Sequence, residues 1–264
     1  MGLSNTLQTF DGLPQDAAMK SPLEGALDET VGFLEWFEST YAELFKQYPV
    51  GKNRMAPYEK NLLRIENLLT ETEVSVQTFA DLIVPYALLP NDGYHLRALS
   101  AVLRSFYAAG SLLVISMAGG RAIRGGIEAE SAVERAPGEL YGRALNDALA
   151  LEMRAAGYPR IVVGKKLQEY LKRVARPEEP SFFTDHAKAL AEKCLRLLFE
   201  DADGQLAVHY LSAEFQPPSM DSAAFTQARV FIAQQLSYWA TAGPPRLAEK
   251  YQRLDAYWRR FYRR

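Results

Sequence analysis

The stretch from Ile123 to Val163 constrains the fold more than any other part of the chain. It opens with Arg124-Gly125-Gly126-Ile127, and paired glycines in an apolar strand indicate a close backbone approach or a tight turn. A long loop is expected from Glu130 to Glu139. Residues 140–156 then keep apolar side chains at helical spacing, and residues 158–163 return as a buried strand. The pattern predicts a strand–helix–strand unit.

Helices and hairpins are predicted on either side of this unit. A long amphipathic helix begins at Ser21-Pro22 and ends before Pro49, and hairpins are expected at 74–89, with the turn at Ala80-Asp81, and at 197–211. Further helices are predicted at 57–69, 94–117, 167–174, 182–195, 222–239 and 247–262, and a short strand at 6–10. This order predicts an α+β fold in which helices pack on a sheet.

Composition narrows the function. The chain has 264 residues, of which 48% are hydrophobic, and this is enough for one domain spanning 1–264 with a substantial core. A net charge of −2 argues against a nucleic-acid partner. The single cysteine, Cys194, excludes an intramolecular disulfide and is expected to be an inert core thiol. No apolar run is expected to reach the roughly 20 residues of a membrane span, and we expect a cytoplasmic protein.

The helix and the strand after it carry a recognisable pattern. Ala144-Leu145-x-x-Ala148-x-x-Leu151-Glu152 is followed by Ala156-x-Tyr158-Pro159-Arg160-Ile161-Val162-Val163. With the R-G-G-I strand, this resembles the second half of a class III nucleotidyl cyclase domain, and it is most similar to the bacterial Pycsar cyclases of anti-phage defence. The resemblance covers roughly Val74 to the C-terminus. It implies a ferredoxin-like core, an N-terminal strand within 1–20 and a family-specific extension over 165–264.

The resemblance also implies a metal-dependent reaction. Such cyclases join the 3′-hydroxyl of a nucleotide to its α-phosphate and expel pyrophosphate, and two carboxylates hold Mg²⁺ or Mn²⁺. Asp81, in the hairpin turn after Phe79, matches the second carboxylate, although turns commonly contain aspartate for structural reasons. Asp11, after Phe10, matches the first carboxylate, and Asp28 is the alternative.

The same likeness assigns residues to the transition state and to the base. Asn146 matches the asparagine of the helix, but Ala150 stands where the family has an arginine. Arg143 and Arg154 share the Asn146 face and would supply the cation, unless they are ordinary surface arginines. Ser75 and Gln77, with Phe79, would line the base pocket, and their neutral side chains fit neither purine-specific version.

Three hypotheses follow. The first is a homodimeric cyclase that makes cyclic UMP or cyclic CMP from UTP or CTP, as a second messenger for a downstream effector. The second is a catalytically degenerate module that binds a nucleotide or a partner protein. The third is a structural dimerisation domain.

Overall fold

The structure is a computed structural model, and it shows a mixed α+β fold. It describes residues 22–47, 69, 72–79, 82–89, 93, 95–136, 139–179, 181–217, 220–242 and 244–262. The predicted strand at 6–10, the N-cap at Ser21 and most of the predicted helix at 57–69 lie outside these residues.

The helices and strands follow the order expected from the sequence. Seven α-helices lie in the described residues: α1 Pro22–Gln47, α2 Leu96–Ala118, α3 Arg143–Ala150, α4 Lys165–Val174, α5 Phe182–Arg196, α6 Ser222–Ala242 and α7 Pro245–Phe261. A π-helical turn, Leu151–Ala155, continues α3 directly. The described strands are β1 Ser75–Phe79, β2 Leu82–Tyr86, β3 Gly125–Ile127, β4 Ala132–Glu134, β5 Leu140–Gly142, β6 Ile161–Val163, β7 Leu198–Glu200 and β8 Leu206–Val208.

Three separate β units lie among these helices. The largest is a four-stranded sheet in the order β3-β6-β8-β7, in which β3 and β6 run parallel and the other neighbours run antiparallel. Strands β1 and β2 form an antiparallel hairpin, as the sequence predicts. Strands β4 and β5 form a second antiparallel pair, which we call the ribbon. The parallel contact between β3 and β6 is bridged by α3, which gives the predicted strand–helix–strand unit.

The core forms around α2. This 23-residue helix packs against α1, α5 and α6, and it is buried along almost its whole length. Among the described residues it is the one helix long and apolar enough to cross a membrane, which the sequence analysis did not expect. Its most apolar window is 89% buried inside the fold, so the apolar surface of α2 is covered by protein.

The ribbon corrects the predicted loop. Residues 130–139 were expected to be irregular, but Ala132–Glu134 pairs with Leu140–Gly142, and α3 therefore begins at Arg143 rather than at residue 140. Gly142 has a φ of 138°, which L-residues with side chains rarely adopt. A Cβ atom there would lie 2.7 Å from the carbonyl oxygen of Ser131. This glycine turns the chain from strand to helix within one residue.

Candidate functional site

Helix α3 sits directly on β3 because β3 carries a glycine at the contact. A Cβ atom on Gly126 would lie 2.5 Å from the carbonyl oxygen of Ala148 and 2.5 Å from the Cβ atom of Leu151. No side chain fits between the two backbones, so the second glycine of R-G-G-I fixes how close α3 lies to the sheet. This confirms the close approach that the paired glycines predicted.

The outer face of α3 presents the predicted transition-state residues. Arg143 and Asn146 are exposed on α3, and Arg154 is exposed on the π-helical turn. At about 100° per residue, these three and the half-buried Ala150 fall within an arc of about 80°. The helical period predicts that these residues share one face, and the structure shows that Arg143, Asn146 and Arg154 are all exposed. Short π-helical segments are frequent at functional sites.

The two arginines of this face are available to a ligand. In the described part of the chain, neither the Arg143 nor the Arg154 side chain forms a hydrogen bond or an ion pair. A guanidinium carries five donors in a fixed fork, which suits it to phosphate or carboxylate oxygens. Together with the Asn146 carboxamide, they form a surface that can bind an anionic group from the solvent side.

A charged network borders this face. The Lys166 ammonium donates to Glu130 at 2.7 Å and to Asp147 at 2.9 Å, which joins the loop after β3 to α3 and α4. The hydrogen bond from Lys166 lowers the pKa of Glu130, and the positive charge of Arg143 adds to this shift. Arg143 therefore lies in the field of Glu130, and its side chain has no direct partner among the residues that the structure describes.

A buried ion pair holds the π-helical turn to the strand. Glu152 is 4% exposed, and its Oε1 atom accepts a hydrogen bond from Arg124 Nε at 2.6 Å. Glu152 belongs to the L-E end of the helix pattern, and Arg124 begins R-G-G-I. A buried carboxylate is tolerated when it is paired in this way. This contact links the two halves of the sequence pattern and orients the end of the helix that carries Arg154.

The residues predicted for the base pocket separate into two roles. Ser75 lines a cavity of about 780 Å³ that also borders α1, α2, α3 and the segment after β3. Gln77 is 9% exposed, and its Oε1 atom accepts a hydrogen bond from the Leu140 amide at 2.9 Å. That contact joins β1 to β5, so the side-chain carbonyl of Gln77 is occupied by a structural hydrogen bond. Phe79 ends β1, and its side chain lies outside the description.

The predicted metal ligands are not placed by the structure. Asp11 and Asp81 lie outside the described residues, and the alternative, Asp28, lies within α1. Among the described residues, no group of three or more His, Cys, Asp or Glu side chains is arranged to hold a metal ion. The assignment of Mg²⁺ or Mn²⁺ therefore still depends on the resemblance.

The cavity is acidic along its described walls. Its charged lining residues are Glu73, Arg97, Glu128, Glu130 and Glu134. Glu128 directly follows R-G-G-I, and its Oε1 atom accepts hydrogen bonds from the amides of Ala129 and Leu167. An acidic lining disfavours a free polyphosphate.

Sequence reasoning missed how Arg160 is held. Arg160 is 2% exposed, and it forms ion pairs with Asp201 and Asp203 of the β7–β8 turn. Tyr158 also donates to Asp201, at 2.6 Å, and Arg160 lowers the pKa of Asp203. The sequence predicts this turn only as part of a hairpin. An arginine inside an apolar strand requires acidic partners, and that was the available signal.

Comparisons of the chain with protein-family models, with curated proteins and with solved structures find no match.

Proposed function

We propose that the chain is a nucleotidyl cyclase that acts on a pyrimidine nucleoside triphosphate. What supports this is the surface of α3 and of the π-helical turn, where Arg143, Asn146 and Arg154 are all exposed and the two arginine side chains have no partner among the described residues. The close contact of α3 with Gly126 and the ion pair between Arg124 and Glu152 hold that surface in a fixed position relative to the sheet. Such preorganisation is what stabilisation of a charged transition state requires.

In this proposal, the residues of the face act on the phosphates. The Asn146 carboxamide donates to an oxygen of the α-phosphate, and one of the two arginines offsets the charge that develops as pyrophosphate leaves. Two divalent cations, Mg²⁺ or Mn²⁺ held by Asp11 and Asp81, would supply charge neutralisation and activation of the 3′-hydroxyl. Ser75 is the one described base-pocket candidate that reaches a cavity.

A degenerate cyclase-like module is the second candidate, and Ala150 favours it. This residue lies on the same face as Asn146 and has no functional group. In that case the two arginines would bind a nucleotide or an acidic partner without turnover. A module that binds a nucleotide differs from the cyclase in one measurable property, because only the cyclase consumes the nucleotide.

The decisive experiment uses all four nucleoside triphosphates. The protein is incubated with each nucleotide and Mn²⁺, and the products are separated by chromatography. Formation of cyclic UMP or cyclic CMP supports the cyclase, and Asp81→Asn should abolish it without unfolding the protein, because an amide is a poor ligand for a hard cation. Binding of a nucleotide without product supports the degenerate module. Absence of both binding and turnover would overturn the cyclase and the nucleotide-binding form of the module.

The cation can then be located by substitution. We predict that Arg143→Ala or Arg154→Ala, and not both equally, lowers turnover at saturating nucleotide by about 100-fold, because one charged donor is typically worth about that much. Arg176→Ala is the matched control, since Arg176 is an exposed arginine after α4 that has no part in the proposed site. Unchanged turnover in both variants of an active enzyme would contradict the placement of the charge.

We further propose that the enzyme is a cytoplasmic homodimer that serves anti-phage defence through a cyclic-nucleotide effector. In the resemblance, the metal carboxylates come from one copy and Asn146 comes from the other. Mixing Asp81→Asn with Asn146→Ala should then restore part of the activity, because each mixed dimer holds one intact site. No recovery despite measured subunit exchange would contradict a shared site.

A further inference from the structure

Lys250, a half-buried lysine on α7, has no partner that balances its charge. It lies one helical turn after the exposed Arg246, so the two side chains share a face of the helix. Neither side chain forms a hydrogen bond or an ion pair with any residue that the structure describes. An ammonium group that is partly removed from water loses hydration and normally gains an acidic partner in exchange. Lys250 therefore points to an anion that the described residues do not supply.

The surroundings of Lys250 are positive as well. Burial lowers the pKa of Lys250, the charges of Arg124 and Arg246 lower it further, and the Glu152 carboxylate opposes this shift. The fold thus brings the Lys250 ammonium close to the ion pair of Arg124 and Glu152, although α7 and β3 are far apart in sequence. We call Arg124, Arg246 and Lys250 the cation cluster.

The cation cluster has unused hydrogen-bond donors and an unbalanced charge. Arg124 donates to Glu152 through Nε at 2.6 Å, and its two terminal nitrogens donate to no other described residue. The Lys250 ammonium adds three donors. Three cations minus one carboxylate leave a net charge of +2. Helix α7 begins beside Arg246 with no side-chain cap and no acidic residue in its first turn, so the positive end of its dipole adds to this charge.

We propose that the cation cluster binds a phosphate group that carries two negative charges. Such a dianion balances the net charge of the cluster, and the free edge of the Arg124 guanidinium suits two phosphate oxygens. The site goes beyond the proposed function because it lies on the other side of the helix. Glu152, which neighbours the cluster, and Arg154 are two residues apart, so their side chains leave the π-helical turn in nearly opposite directions.

The test measures binding by the full-length protein and does not need activity. Titration calorimetry at low ionic strength and at about pH 8, where a phosphate group carries close to two negative charges, is run with inorganic phosphate, with pyrophosphate and with CMP. The three probes distinguish a free phosphate from the phosphate of a nucleotide. The variants are Lys250→Met, Lys250→Arg and Arg246→Gln, and Lys172→Met and Arg176→Gln are the matched controls, because both of these residues are exposed on or just after α4. Circular dichroism checks that each variant is folded.

We expect Lys250→Met to raise the dissociation constant of the tightest-binding probe by about tenfold, which corresponds to the loss of one charge-assisted hydrogen bond. Arg246→Gln should act in the same direction, while Lys250→Arg and both controls remain close to the wild type. Phosphate should also raise the melting temperature of the wild type more than that of Lys250→Met.

Two results would overturn the inference. One is a wild-type protein that binds none of the three probes, and the other is equal dissociation constants in the wild type, Lys250→Met and Arg246→Gln. The outcome is independent of the catalytic proposal. Phosphate binding that depends on Lys250 in a protein without cyclase activity supports this site and refutes the enzyme, and an active cyclase without such binding does the reverse.

Discussion

The close contact between α3 and β3 gives a prediction that can be worked from the structure. In Gly126→Ala, the new Cβ atom would lie 2.5 Å from the Ala148 carbonyl oxygen and 3.1 Å from the Glu152 amide nitrogen. The first distance is about 0.9 Å short of the 3.4 Å at which ordinary contact begins. Both neighbours are backbone atoms, so the helix itself has to move.

The expected cost follows from measured effects of overpacking. Adding a methyl group to a tight contact typically costs about 1 to 3 kcal/mol of unfolding free energy. A loss of about 2 kcal/mol would lower the melting temperature by about 4 to 8 °C in a protein near this size. The same shift of about 1 Å would displace Asn146, and a displacement of that size can lower the turnover of an enzyme by about 100-fold.

The assay is urea unfolding followed by circular dichroism, together with a thermal scan. Gly32→Ala is the matched control, because Gly32 lies inside α1 and a Cβ atom there would meet nothing within 4 Å. Alanine is a better helix former than glycine, so Gly32→Ala should gain about 0.5 to 1 kcal/mol. The two substitutions should therefore act in opposite directions. A Gly126→Ala protein as stable as the wild type would refute the close contact between the α3 backbone and β3.

Two further predictions test individual side chains. Gln77→Met removes the acceptor of the buried Leu140 amide and should lower the free energy of unfolding by about 1 to 3 kcal/mol. A changed nucleotide preference with unchanged stability would instead assign the Gln77 side chain to the base. Burial lowers the pKa of His209 to about 4 from an ordinary 6.5, so the unfolded chain takes up a proton before the native state does, and stability should fall as the pH drops from 6.5 to 4. In His209→Gln that loss should be absent from urea titrations across this window, and an identical pH dependence in both proteins would contradict it.

The sequence predicted helices and longer strands well because their signals are local. The periodicity of α2, Pro22 at the start of α1 and the turn residues Asp201–Gly204 each act over a few neighbouring positions. The ribbon was missed because residues 130–139 are mostly polar or small and contain Pro137-Gly138, a pair typical of loops, so no apolar run marks its strands. Its pairing depends on contacts with the β1–β2 hairpin, and these are distant in sequence.

For the site residues too, local patterns could be predicted from the sequence and contacts with remote segments could not. A helical period is enough to predict that Arg143, Asn146 and Arg154 share a face, and the structure shows that each of them is exposed. The period of a strand predicted that Ser75 and Gln77 share a face, but it could not show that Gln77 would be taken by the Leu140 amide. Hydrogen-bond partners from remote segments decide such roles, and a single sequence carries no direct signal for them.

Gly142 joins the ribbon to α3, since it ends β5 and precedes the helix. Its φ of 138° is strained for any other residue, and a Cβ atom would lie 2.7 Å from the Ser131 carbonyl oxygen and 2.8 Å from the Ala132 Cα atom. Gly142→Ala should therefore displace the ribbon as well as the start of α3, and we expect it to lower the melting temperature, because strain at such a position costs about 1 to 3 kcal/mol. A thermal scan followed by circular dichroism measures the change, with Gly32→Ala as the control. A Gly142→Ala protein that melts at the wild-type temperature would contradict the strain assigned to this turn.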